Sequence, residues 1–258
     1  MQTQYSELTD SQWQFIEKEL NQYQQMRKRK YSMRVVMNAI LWLTRTGCQW
    51  RNLDMRFPYW QLVYYYFNKW TKAGLLAKVL SCLVSEERKR LGRAEQPSRA
   101  AIDSQSVKKG SFITLESGID GGKQMNGRKR HLAVDGLGLP LAIAVTAAHV
   151  HDSEGGYELL WQLDQTSPDK LKMLCADKAY RGSFKDTVEQ VYHWQMDISQ
   201  KPPSAQGFVP QKGRWQVERS FGWLNFYRRL SKDYEKTAAA AVAFIQLAFI
   251  SIIIARLS

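Results

Sequence analysis

The sequence predicts an α/β protein preceded by a small all-α domain. Three observations predict it. Apolar and aromatic side chains recur at helical spacing through residues 1–97. A polar stretch with a proline, GRAEQPSRA at 92–100, interrupts that pattern. Beyond it, short apolar runs alternate with helical segments, the order that builds a sheet covered by helices on both faces. The expected domains are therefore 1–97 and 98–258.

In the first domain, Thr9 is placed to cap a helix with Gln12 reaching back, and Trp13, Ile16 and Leu20 share one face. The polar stretch NQYQQMRKRKYS follows, with Arg27, Lys28, Arg29 and Lys30 in a row. Ser32 precedes a second helix, with Val36, Ile40 and Leu43 at helical spacing and an end near Gly47. FPYWQLVYYYFNKWTKAG makes a third: Pro58 sits at its start, Trp60, Val63, Tyr64, Phe67 and Trp70 form its stripe, and Gly74 stops it. A fourth runs from Leu75 to about Arg90. Two helices joined by a short turn beside a basic loop fit a DNA-binding helix-turn-helix, and they fit an ordinary helical bundle as well.

In the second domain, RAAIDSQSV reads as a short strand and KRHLAVDGLGLPLAIAVTAAH as a hairpin turning between Gly136 and Pro140. Gly156 to Leu163 reads as a helix, KLKMLCAD as a buried strand ending in an acid, Ser183 to Tyr192 as a helix and QMDIS as a short strand. RWQVERSFGWLNFYRRLSKDYE, 214–235, reads as one amphipathic helix. On it Val217, Phe221 and Leu224 form the buried stripe, and Arg214, Glu218, Asn225 and Arg229 run along its edge. The last segment, AAAAVAFIQLAFISIIIA at 238–255, is long enough to cross a bilayer. A helix apolar all round is buried in protein or in lipid, and Gln246 and Ser251 favour a core helix packed on the sheet.

Lys plus Arg number 37 and Asp plus Glu 24, a net charge of +13 that points to a polyanionic partner, most often nucleic acid. With 44% hydrophobic residues the chain can bury a core, which excludes wholesale disorder. Cys48, Cys82 and Cys175 lie far apart without a C-x-x-C, which argues against a disulfide framework or a zinc site and fits a reducing compartment. MQTQYSELTDSQW carries no apolar signal region, so export is not expected.

Three acids stand out by position. Asp103 lies in the first strand after the joint, Asp177 ends the apolar run MLCAD, and Glu218 is on the basic helix. A charge at the end of a buried strand is expensive unless it is paired or binds metal. Oxygen ligands from two strands and a helix suit hard divalent cations. Two such ions can activate an attacking oxygen and stabilise a leaving one, so a basic protein with this site should cut or join phosphodiesters. Each acid also has a purely structural reading. Asp177 can cap the next turn, Asp103 can pair with Lys108 or Lys178, and Glu218 stands four residues from Arg214, the spacing of a helix ion pair contributing roughly 0.2–0.5 kcal/mol. Both accounts stay open on the residues alone.

Other segments compete for attention. Asp135 belongs at the hairpin tip. HVHDSE, His149 to Glu154, has ligand chemistry but no cysteine or further histidine nearby and reads as a loop start. GIDGGKQMNGRKRH, with Asp120, Lys123, Arg128, Lys129 and Arg130, reads as a flexible basic loop for a DNA backbone or as a solvated hairpin entrance. It is not a Walker A loop, because no Gly-Lys-Ser/Thr falls in frame.

Taken in order, GCQWRNLD, WQLVYYYFNKW, AIDSQSVK, GRKRHLAVD, ADKAYRG and RWQVERSFGWLNFYRRLSKDYE resemble a DDE transposase of bacterial insertion sequences, in the IS-four/IS-five-like branch. The resemblance covers nearly the whole chain. It implies an RNase H-like catalytic domain at 98–258 behind a helical, helix-turn-helix-like DNA-binding domain at 1–97. It implies that Asp103, Asp177 and Glu218 are the DDE triad and hold two Mg2+ ions, with Mn2+ able to substitute and Asp103 shared. Arg214 fits the Arg of the family's signature around the last acid. The Lys place, seven residues after Glu218, is Asn225 here, and Arg228 or Arg229 are the candidates to supply that charge.

DNA contacts are expected from Lys108, Arg128, Lys129, Arg130, Lys178, Arg181, Arg214, Arg228 and Arg229, with Tyr180 a further candidate. The implied reaction is hydrolysis at transposon ends to give 3′-OH groups, which then attack target DNA. The implied partner is double-stranded DNA, bound by a dimer or higher oligomer in the bacterial cytoplasm, associated with the nucleoid and not with a membrane. The rival readings are a DNA-binding protein without activity, a stand-alone nuclease and a membrane-anchored basic protein.

Overall fold

The computed structural model describes residues 6–21, 30–166, 170–198 and 214–257, so Arg27, Lys28 and Arg29 of the basic stretch lie outside the described residues. The chain forms two compact units. One gathers the residues up to Arg93 with Leu224–Ser231 and the residues from Ala239 onward; the other gathers Ala94–Trp223 with Lys232–Ala238.

The first unit is helical. Helix α1 (Asp10–Asn21) opens on a reciprocal cap: the Gln12 amide donates to Thr9 Oγ1 at 3.3 Å and the Thr9 amide to Gln12 Oε1 at 3.0 Å. Helix α2 (Met33–Thr46) is capped by Ser32, whose hydroxyl accepts the Val35 amide. It ends at Gly47, where φ is +71° and a Cβ would stand 3.0 Å from the backbone of Arg228. Conformation and close approach thus both require glycine there. Helices α3 (Trp60–Lys72) and α4 (Leu75–Arg90) follow, with only Ala73 and Gly74 between them. Val63, Phe67 and Trp70 of the α3 stripe are buried, while Tyr64 reaches the surface.

The C-terminal apolar helix, α8 (Ala238–Leu257 by its full span), completes this unit, which corrects the expectation that it packs on the sheet. The physical reason is aromatic. The α3 stripe needs a cover, and Phe244 stacks on Phe67 with ring centroids 4.8 Å apart and reaches Trp50 at 6.1 Å. The helix is long and apolar enough to span a membrane by composition, yet Phe244, Ile245, Leu247 to Ile250 and Ile253 are fully enclosed in protein.

The second unit is a mixed sheet. Strands β1 (Arg99–Lys108), β2 (Gly118–Asp120), β3 (Met125–Val134), β4 (Pro140–Ala147), β5 (Met173–Ala176) and β6 (Gln195–Ile198) are ordered β4-β3-β1-β5-β6, and β2 pairs with the start of β3. The first pairings are antiparallel, while β1-β5 and β5-β6 are parallel. Helix α5 (Asp152–Thr166) crosses from β4 to β5 and helix α6 (Ser183–Gln190) from β5 to β6. Leu159, Leu160, Leu163, Phe184 and Val188 of these helices share one core with Ala100, Ile102, Leu174 and Ala176 of the sheet. Side chains alternate along a strand, so Ala101, Asp103 and Cys175 face away from that core.

Two expectations change here. Residues 214–235 are not one helix. Helix α7 (Trp215–Leu224) stops, a 3-10 turn forms at Arg228–Leu230, and Asp233 then bridges to Lys109 beside β1. The chain leaves the helix because Tyr227 and Leu230 are buried in the helical unit while Asp233 is drawn to a buried partner in the sheet unit. Nor is GIDGGKQMNGRKRH a flexible loop: Gly118–Asp120 and Met125–Val134 are strands, and only Gly121 to Gln124 turn between them. Arg128 is fully buried in β3. It pairs with Asp233 at 3.3 Å and donates to the carbonyls of Leu115, Glu116, Glu235 and Lys236. Removing one partner of such a pair costs about 3–5 kcal/mol.

Phe244→Ala is expected to destabilise the helical unit by about 3–5 kcal/mol through the cavity it leaves. Urea unfolding followed by tryptophan fluorescence, with Trp50 beside the cavity, measures this; a loss below about 1 kcal/mol contradicts the assignment of α8 to that core.

Candidate active site

Strand register brings the first two acids together. Ala101 pairs with Cys175 in the parallel ladder, and Asp103 and Asp177 each lie two residues further on. They therefore emerge at the same level of neighbouring strands and on the same face, opposite the α5 and α6 core. β1 continues as far as Lys108 through its antiparallel pairing with β3, so Asp103 sits inside a strand, whereas Asp177 stands just past the end of β5.

The third acid comes from α7. That helix is tied to the β3–β4 turn by two contacts: the Ser220 hydroxyl donates to Gly138 O at 2.8 Å, and Arg219 Nη2 donates to Leu137 O at 2.7 Å. The Arg219 guanidinium lies between the rings of Trp215 and Trp223, at 4.3 and 5.0 Å. At the head of the helix Arg214 Nη2 reaches Asp103 Oδ2 at 3.3 Å. Arg214 and Glu218 are four residues apart, so the helix face that meets Asp103 is the face that carries Glu218. The structural pairs expected for these acids do not form as expected. Arg214 pairs with Asp103 and not with Glu218, which is exposed and has no ion-pair partner among the described residues. Asp177 does cap its turn, accepting the Ala179 amide at 2.9 Å.

Burial raises the Asp103 carboxyl to about 6. Arg214 and the Ser104 amide pull it back down, and the charges of Asp177 and Glu218 push it up. A carboxylate raised by burial and by two neighbouring acids is relieved by a hard cation, so the chemistry of the donors fits a divalent metal. The geometry is looser than a finished centre: among the described residues no group of three or more His, Cys, Asp or Glu closes around a metal position.

The basic residues divide sharply. Lys178 and Arg181, beside Asp177, are exposed, as are Lys108 at the end of β1 and Arg228 in the helical unit. Arg128, Lys129, Arg130 and Arg229 are buried, which corrects the expectation that they face DNA, and Arg214 is buried to the same degree as Arg229, against Asp103. Lys129 donates to Val150 O and pairs with Asp152 at 2.7 Å. Arg130 is lowered to about 10 by burial. Arg229 donates to Cys48 O and covers the Phe244 ring. Tyr180 is likewise enclosed, against Phe184, and so presents no surface to a substrate. Asp135 folds the hairpin turn by accepting the amides of Leu137 and Leu139, and Asp152 of HVHDSE opens α5. The Arg214–Asp103 pair escaped sequence reasoning, since 111 positions separate its members and no local pattern links them.

The folded protein holds the Asp103 proton more tightly than the unfolded chain. Asp103 therefore destabilises as pH rises from about 4 to about 6, with the full penalty above that range. In EDTA, Asp103→Asn is expected to be more stable than the parent by about 2–3 kcal/mol at pH 7.5 and equal to it near pH 4. Urea denaturation at the two pH values measures it; an Asn variant less stable at pH 7.5 means that the Arg214 pair outweighs burial.

Comparison with known proteins gives three matches. Residues 94–253 match the family described as "Transposase DDE domain". Residues 8–80 match the family described as "Putative transposase of IS4/5 family". The chain is 30% identical over 136 residues to a protein of Burkholderia cepacia named "Putative transposase for insertion sequence element IS402". That match covers 47% of this chain and 60% of the relative.

Proposed function

Because the chain belongs to the DDE transposases of the IS4/5 type, we propose that it binds the terminal inverted repeats of an insertion sequence, cleaves them to give 3′-OH ends and joins those ends to target DNA. The observation that carries this reading is the register that brings Asp103, inside β1, and Asp177, just past the end of the parallel neighbour β5, to one face of the sheet, with the Glu218 charge near enough to raise the Asp103 carboxyl. The sheet order, with a central β1 between an antiparallel and a parallel half, supports an RNase H-like catalytic unit. The helical unit is the proposed DNA-reading part; Tyr59, Tyr65, Arg51, Arg56 and Lys72 are exposed in and around α3.

Asp103, Asp177 and Glu218 are the proposed holders of two Mg2+ ions, with Asp103 shared. When bound, these ions supply activation of the attacking oxygen and stabilisation of the leaving one. The protein's own groups do the positioning. Lys178 and Arg181 flank Asp177 and are suited to hold phosphates on either side of the scissile bond, with Lys108, Arg214 and Arg228 as further contacts. Ser220 and Arg219 fix α7, and so Glu218, against the β3–β4 turn. Joining two transposon ends calls for at least a dimer on DNA, acting in the cytoplasm.

Purified protein incubated with labelled DNA carrying the ends that flank its gene tests the reading. Cleavage is expected with Mg2+, not with EDTA, and should leave 3′-OH ends. Glu218→Gln should lower it by at least about a hundredfold, beyond the usual loss for a residue that only supports a metal ligand, with DNA binding retained. Binding of the ends without any cleavage would favour the reading as a DNA-binding protein with an inert site. A separate binding series checks the phosphate contacts: Arg181→Ala should reduce the slope of log affinity against log salt by about 1, and an unchanged slope removes Arg181 from the interface.

A further inference from the structure

Arg214 stands where a cation would serve Asp103. Its side chain is about one-tenth exposed, and Nη2 lies 3.3 Å from Asp103 Oδ2. The other carboxylate oxygen, Oδ1, already accepts the Ser104 amide at 2.7 Å. The guanidinium therefore engages the oxygen with the most freedom to take a metal. Two cations at one carboxylate oxygen repel, and in a partly buried site that repulsion is only weakly screened. Arg214 directly precedes α7, and Glu218 is in the first turn of that helix.

We propose that Arg214 is the resident counter-cation of Asp103, that a divalent metal ion competes with it for Oδ2, and that the displaced guanidinium passes to a DNA phosphate. The proposal rests on the reading of Asp103, Asp177 and Glu218 as the metal-holding acids. Arginine suits the exchange because its planar fork pairs with carboxylate and phosphate alike. It makes metal and DNA reciprocal ligands: metal frees the group that DNA uses, and DNA holds away the group that opposes metal.

The test uses the full chain. Mn2+ is titrated calorimetrically into the parent, Arg214→Gln and Asp103→Asn, and binding of a duplex carrying the transposon ends is measured with and without Ca2+. Arg214→Gln is expected to bind Mn2+ about tenfold more tightly than the parent. Ca2+ should strengthen DNA binding by the parent about fivefold or more and leave that of Arg214→Gln unchanged. Mn2+ binding by Arg214→Gln that is equal to or weaker than the parent's overturns the proposal. If Asp103→Asn binds Mn2+ like the parent, the acids are not the metal site and the underlying reading fails with it. If Asp103→Asn loses Mn2+ and Arg214→Gln is parent-like, only the exchange is wrong. Should a thermal melt in EDTA show Arg214→Gln unfolded, Arg214→Lys takes its place. Its ammonium has no fork to hold Oδ2, so Mn2+ should tighten about threefold, and no tightening overturns the proposal.

Discussion

Parallel pairing of β1 with β5 sets the level at which Asp103 and Asp177 leave the sheet, and the chemistry proposed for the site depends on that register. A shift of the ladder by one residue would turn Asp177 toward the α5 and α6 core, among Leu159, Leu160 and Phe184, where an unpaired carboxylate is strongly disfavoured. The apolar residues that alternate with the acids therefore protect the site. Ile102 and Ala176 can be buried only in the register that sends Asp103 and Asp177 to the opposite face. Stability of the sheet and placement of the carboxylates are one constraint.

The polar groups around this register differ in kind. Arg128 and Asp233 are a structural pair, sealed in and surrounded by carbonyls that satisfy the guanidinium, and they fasten the stretch from Asp233 to Lys236 to the sheet. Arg214 and Asp103 are partly open, with one hydrogen bond of 3.3 Å between them and a carboxyl that burial makes reluctant to ionise. The first arrangement suits permanence and the second suits exchange.

Much of this was legible in the sequence. Periodicity placed α1 to α4, and the caps at Thr9, Ser32 and Gly47 marked ends that the structure reproduces. The apolar run MLCAD marked β5, and AIDSQSV marked β1, so two acids could be assigned to strands. What could not be read arises from long-range pairing. Arg128, Lys129 and Arg130 look like surface charge because a local pattern does not reveal that β2, β4 and the Asp233 segment enclose them. Residues 214–235 keep helical spacing after the helix has ended, because Tyr227 and Leu230 are buried in a different unit from Val217 and Phe221. The apolar C-terminal helix was recognisable as core, but the partner that covers it is set by the aromatic stripe of α3, far earlier in the chain.

That last pairing has a consequence for biosynthesis. The helices between Asp10 and Arg90 leave the ribosome well before α8, the strip of protein that seals their aromatic face. About 150 residues separate Arg90 from Ala238. At the usual rate of elongation, roughly 5–20 residues per second, the first four helices wait on the order of ten seconds with Phe67 and Trp50 uncovered. During that interval the nascent amino-terminal unit is an incomplete fold and a natural client for chaperones. A chain cut short before Ala238 would therefore lose the cover of Phe67 and Trp50, a defect felt in helices made much earlier.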